Sequence, residues 1–124
     1  MLSIVKKIFT PAPRKIGELE ARLIPVDPSV RLRGDAEFDL YEDDSWRLEL
    51  EVDHPSNTTG TDFEVRFDGV TVAMIPANRG RETEVNLSSR RGDELAKYPQ
   101  PGTVVDVFAG GTYVLRGEFI EDFD

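Results

Sequence analysis

Trp46-Arg47-Leu48-Glu49-Leu50-Glu51-Val52-Asp53 is the stretch that decides the fold. Trp46, Leu48, Leu50 and Val52 fall on one side, and Arg47, Glu49, Glu51 and Asp53 on the other. A period of two is that of a strand with one buried face. Immediately upstream, residues 35–41 alternate in the same way, with Ala36, Phe38 and Leu40 against Asp35, Glu37 and Asp39. Glu42-Asp43-Asp44-Ser45 between the two runs is turn chemistry, so together they read as an antiparallel hairpin with one wet face.

The pattern spreads outward from this hairpin. Residues 18–24 put Leu19, Ala21 and Leu23 on one face until Pro25 and Pro28 stop the strand. Residues 54–60 form a loop, and His54 beside Pro55 reads as a surface residue. Phe63, Val65 and Phe67 lead through Asp68-Gly69 into Val70, Val72 and Met74, a hairpin around a type I′ turn. Residues 82–88 give a strand with Val85 and Leu87 inward, and residues 104–120 repeat the hairpin logic around Gly110-Gly111. Residues 93–98, ended by Pro99, read as a single helical turn whose Leu95 and Tyr98 plug one end of the core. Residues 121–124 read as a loosely held terminus.

With 124 residues, the chain is expected to form one all-β domain. The expected architecture is a single antiparallel β-sandwich or flattened barrel of about eight strands built from hairpins. Residues 16–124 make the domain, and residues 1–15 a basic, apolar tail with a proline linker.

Residues 34–119 resemble a family of small bacterial all-β domains of unassigned function. The residues that carry the likeness are Gly34, Ala36 and Phe38; Val65, Asp68, Gly69, Val70 and Val72; Gly102, Thr103 and Val105; and Val114, Leu115, Gly117 and Phe119. The closing segment is similar, more weakly, to the end of chordin-type (CHRD) domains. Those carry a histidine-containing segment mid-chain, where this chain has only His54. The resemblance implies a fold and no chemistry.

Composition removes several functions. The net charge of −9 leaves no basic face for nucleic acid. With no cysteine and one histidine, there is no thiol nucleophile, no Cys-based metal site, and no set of imidazoles for a copper–zinc dismutase centre. No apolar run is long enough to span a bilayer. Residues 1–15 carry Lys6, Lys7, Arg14 and Lys15 and no acid, so the rest of the chain holds eleven basic residues against twenty-four acidic ones. Lys6 and Lys7 interrupt the apolar stretch that a secretory signal needs, so a cytoplasmic location is the default and an extracytoplasmic one the alternative. Membrane contact by the tail is the least favoured of its readings.

The expected function is a non-catalytic protein interaction or structural module, and not an enzyme. The partner is another protein or a second copy of the chain. Ile4, Val5, Ile8 and Phe9 are the candidate docking residues, and the doubly apolar residues 103–120 a second candidate surface. The alternative is a ligand- or calcium-binding β-domain that uses acidic turns, with Glu42, Asp43 and Asp44 as the metal ligands. No cofactor is expected otherwise. Glu49 and Glu51 lie about 7 Å apart on one strand face, a spacing seen in acid–base pairs, but alternating acids are ordinary on any wet strand. Arg33-Gly34-Asp35 and Arg91-Gly92-Asp93 spell an adhesive tripeptide, yet glycine is wanted at both places for backbone reasons. Arg79, Arg81, Arg90 and Arg91 are expected to pair with the Glu and Asp of adjacent strands, with a small anion-binding edge as the alternative.

Overall fold

The computed structural model describes residues 12–54, 61–76 and 82–122. Among the described residues nine strands follow one another: β1 (Lys15–Pro25), β2 (Arg33–Tyr41), β3 (Trp46–Asp53), β4 (Phe63–Phe67), β5 (Val70–Ile75), β6 (Glu82–Ser88), β7 (Val104–Ala109), β8 (Thr112–Glu118) and β9 (Ile120–Glu121). They hydrogen-bond in the order β5-β4-β7-β8-β1-β2-β3-β6, with β9 also on β1. Every pairing is antiparallel. The two ends of this order, β5 and β6, come back into contact. Of the two expected architectures, the protein therefore adopts the flattened barrel, nearly closed.

The alternation translates directly into burial. Trp46, Leu48, Leu50 and Val52 are all buried, while Arg47 between them is exposed. Phe63, Val65 and Phe67 of β4 join Val105 and Val107 of β7 and Leu115 of β8 in the same core. Phe67 meets Phe119 edge to face at 5.2 Å, an arrangement that ring quadrupoles favour. The β4–β5 turn carries positive φ at both Asp68 (48°) and Gly69 (83°), as a type I′ turn requires.

β1 joins the two halves of the barrel. Lys15 to Leu23 pair with β2, and Ile24 and Pro25 then pair with Arg116 and Leu115 of β8. The crossing is close. A Cβ on Gly117 would lie 2.4 Å from the Arg22 carbonyl oxygen, and one on Gly34 would lie 2.5 Å from that of Glu51. Backbone approach therefore explains these two glycines, and in particular the glycine of Arg33-Gly34-Asp35.

Four local expectations change. Residues 93–98 are not helical; the short helix lies earlier, a 3-10 turn over Ser89–Arg91. Ser88 caps it, and Gly92 ends it with φ of 85°. The Asp93 carboxylate then accepts the Ser88 N–H at 2.9 Å, which folds the chain back and prevents continuation. Leu95 is buried as expected, but Tyr98 is 48% exposed and only edges Trp46 at 5.7 Å. His54 is a core residue, 2% exposed, with Nε2 3.0 Å from Thr83 Oγ1 and its ring beside Phe63. Thr83, which pairs with Val52 on β3, supplies its polar partner. Ile120 and Glu121 form β9 on β1, and the Asp122 N–H donates to the Glu18 carbonyl, so the terminus is pinned that far. Among the described residues, no helix is long and apolar enough to cross a membrane.

Candidate functional site

Strand register assembles an acidic face on the outer side of β1–β2–β3–β6. Residues directly opposite on one sheet face bring their Cβ atoms to within about 5.5 Å, so each row is a set of contacts. One row reads Glu18, Asp39, Arg47, Ser88. The next reads Glu20, Glu37, Glu49, Asn86, and the third Arg22, Asp35, Glu51, Glu84. Eight of these twelve positions are carboxylates and two are arginines. In the middle row three glutamates stand opposite one another across three strands, an arrangement that costs stability. A depression of about 400 Å³ lies over the second and third rows.

The first row holds the tightest cluster. Asp39, at the wet phase of β2, is nevertheless only 1% exposed. Lys15 Nζ lies 2.6 Å from Glu18 Oε1 and 3.4 Å from Asp39 Oδ1. Arg47 Nη2 reaches Asp39 at 3.4 Å, Glu49 at 3.7 Å and Glu37 at 3.9 Å. The two cationic side chains and the flanking strands bury Asp39, yet its Oδ1 accepts no hydrogen bond. Oxygens of Glu18, Glu37 and Asp39 lie within 4.8 Å of one another.

Crowding shows in the titration of these groups. Burial, foremost, then a hydrogen bond to Asp39 and the charges of Asp39, Glu18 and Glu49, push the Glu37 carboxyl up to about 7. Glu20 is also raised, chiefly because it shares a hydrogen bond with Asp122. The hydrogen bond to Glu18 holds the Lys15 ammonium above its ordinary value.

The other outer face differs. On β4–β5–β7–β8, Glu64 is bound by Arg66 and Thr71, and the Tyr113 hydroxyl donates to Asp106. Arg66 lies 4.0 Å over the ring of Phe108, which stacks on Tyr113. Of the residues in 103–120 that read as doubly apolar, Val105, Val107 and Leu115 are in the core, and Arg66 covers Phe108 from outside.

The sequence-derived candidates lie elsewhere. Glu42, Asp43 and Asp44 occupy the β2–β3 turn. Glu42 binds Arg14, and Asp43 accepts the N–H and hydroxyl of Ser45 and faces Arg90 at 3.7 Å. Asp44 supplies the positive φ, 67°, that the turn uses. The carboxylate triplets that approach within 4.8 Å among the described residues are Glu18, Glu37, Asp39 and Glu18, Glu20, Asp122. Ile4, Val5, Ile8 and Phe9 lie outside the described residues. Arg90 and Arg91 pair with acids, Asp43 and Asp93, but these lie in turns and loops and not on adjacent strands; Arg79 and Arg81 lie outside the described residues. The acidic face was missed because its signal is register. Each strand shows ordinary alternation, and the β1–β2, β2–β3 and β3–β6 pairings together stack the acids.

The chain matches no protein-family model and no curated protein sequence.

Proposed function

We propose that the domain is a non-catalytic interaction module that holds a basic, extended polypeptide on the outer face of β1–β2–β3–β6. The observation that carries this reading is the middle row, Glu20–Glu37–Glu49, in which like charges oppose one another without an intervening base. A face that served solubility alone would gain stability from interspersed lysines. Arg47 relieves part of this repulsion from the first row, at 3.9 Å from Glu37 and 3.7 Å from Glu49, and positive charge from outside would relieve the rest. An extended chain fits because successive same-side side chains on a strand repeat at about 7 Å, close to the spacing of alternate residues along these strands. Two copies of this face repel, so the partner on it is not a second copy of the same surface.

The test is isothermal titration with hexalysine at low and physiological salt. Binding that weakens with salt, and weakens further in Glu20→Gln/Glu49→Gln, is expected. A control with equal net charge, Glu94→Gln/Glu118→Gln, changes two exposed glutamates off the face and should bind like the wild type. Equal loss in both variants would reduce the effect to net charge and defeat the reading.

Cation binding is the second reading, favoured by the approach of Glu18, Glu37 and Asp39. Lys15 and Arg47 already lie on these oxygens, so a metal ion would have to displace an ammonium. A melting temperature raised by millimolar calcium over chelator would favour it.

A further inference from the structure

We propose that residues 4–9 cover the open end of their own barrel, with Ile4, Val5, Ile8 and Phe9 seated in an apolar hollow beside the start of β1. This inference is independent of the acidic face, because the hollow is floored by side chains of the inward phase.

The hollow has a volume of about 350 Å³. Leu19 of β1 and Phe38 and Leu40 of β2 line it, with Pro99 and Pro101 also on its wall. The three strand residues share the phase that buries Ala21, Leu23 and Ala36 farther along the same two strands. At this end that phase runs out of cover. Phe38 is buried, but Leu19 and Leu40 are only partly so, and Ile16 at the rim is 50% exposed. Two features open the hollow. Gly17 takes the next inward position of β1 and brings no side chain; a Cβ there would have only Leu40 within 4 Å, at 3.8 Å. In addition, β8 and β9 pair with β1 only from Leu19 onward, so among the described residues no strand pairs with residues 15–17 on the side away from β2. Contiguous apolar surface left open in this way marks a place where another apolar group sits.

The occupant is identified by where the described chain begins and by what precedes it. The Arg14 carbonyl accepts the Glu42 N–H, and the Arg14 N–H donates to the Glu42 carboxylate, which fixes the chain beside the rim, two residues before Ile16. Seven residue steps separate Phe9 from Ile16, a reach of about 24 Å when extended. The upstream segment can therefore fold over the opening of its own barrel. So short a tether holds it there at an effective concentration on the order of millimolar, above that of the same segment from another copy. Its composition matches the site. Four apolar side chains flank Lys6 and Lys7, and residues 1–15 contain no acid. Glu121 lines the hollow and makes no ion pair among the described residues, so it is placed to receive one of these ammonium groups.

The experiment is NMR of the full chain with labelled Ile, Leu and Val methyl groups, together with thermal melts of four proteins. Through-space contacts from Ile4, Val5, Ile8 or Phe9 to Leu19 and Leu40 are expected within one chain, and light scattering should give a monomer mass. Ile8→Ser/Phe9→Ser keeps length and charge and should lower the melting temperature by about 5 °C. In a Gly17→Leu background, where the new side chain fills the hollow, the same pair of changes should leave the melting temperature unmoved. Absence of the contacts in the wild type overturns the proposal. So does an unchanged melt of Ile8→Ser/Phe9→Ser, or a loss of equal size in both backgrounds, which places the effect outside the hollow. Contacts that arise only between chains, with a dimer mass that Ile8→Ser/Phe9→Ser splits, also overturn it and assign the hollow to a second copy. If Gly17→Leu does not fold, the contacts in the wild type decide alone.

Discussion

Glu37 and Asp39 are two residues apart on β2, share its outward phase, and meet different physics. Asp39 is sealed between Lys15 and Arg47, so its charge is neutralised where it is buried. Replacing it by alanine leaves two cations facing each other and should cost about 2 kcal/mol in urea unfolding. An unchanged midpoint would mean that the cluster adds nothing to the fold. Glu37 keeps a proton in the folded state, up to about 7, that the unfolded chain, at the ordinary carboxylate value of 4.5, has already lost. Folded protein therefore binds more protons in that window, so this group adds stability as pH falls through 7 towards 4.5 and withdraws it as pH rises. Glu37→Gln mimics the protonated form. It should melt above the wild type at pH 8, with the gap closing at pH 6; a gap independent of pH would contradict the assignment. Neither role is written in the alternation, which gives Asp35, Glu37 and Asp39 the same wet phase. Likewise His54 next to Pro55 carries the local marks of a loop, and only its position opposite β6, where Thr83 receives it, makes it a core residue.

At the scale of elements, much was legible. The two-residue turns at Asp68-Gly69 and Gly110-Gly111 and the alternation of β2 and β3 are local signals, and local signals set hairpins. Pairings between strands distant in the chain were not legible. β3 with β6 and β4 with β7 depend on the whole barrel closing, while β1 and β2 are consecutive but joined by residues 26–32 without a two-residue turn signal; the acidic rows need the β1–β2 and β3–β6 pairings as well as the legible β2–β3 hairpin. The helical turn was placed too late because an acid–leucine run resembles a helix, whereas Ser88 and Gly92 bound the real turn just before it. β1 illustrates how a few glycines fix such long-range geometry. Gly117→Ala would put a Cβ 2.4 Å from a backbone oxygen and 2.8 Å from Leu23, and should cost about 3 kcal/mol or disrupt the β1–β8 crossing. Gly17→Ala, on β1 itself, meets its nearest neighbour at 3.8 Å and should be tolerated. Equal thermal melts for the two variants would show that the crossing is not close-packed.

For the whole molecule, charge is distributed by face as well as by segment. The β4–β5–β7–β8 side pairs its acids with Arg66 and Tyr113, whereas the β1–β2–β3–β6 side stacks eight carboxylates against few bases. A net charge of −9 favours solubility in general. It does not account for the unequal pairing of acids on the two faces, which the proposed basic partner would. The most direct measurement is hexalysine titration, at low salt, of wild type, Glu20→Gln/Glu49→Gln and the charge-matched Glu94→Gln/Glu118→Gln. The face accounts for binding if the wild type and the off-face variant bind alike while the on-face variant binds at least several-fold more weakly. If all three bind alike, or none binds, the acidic face is not the binding site of this domain.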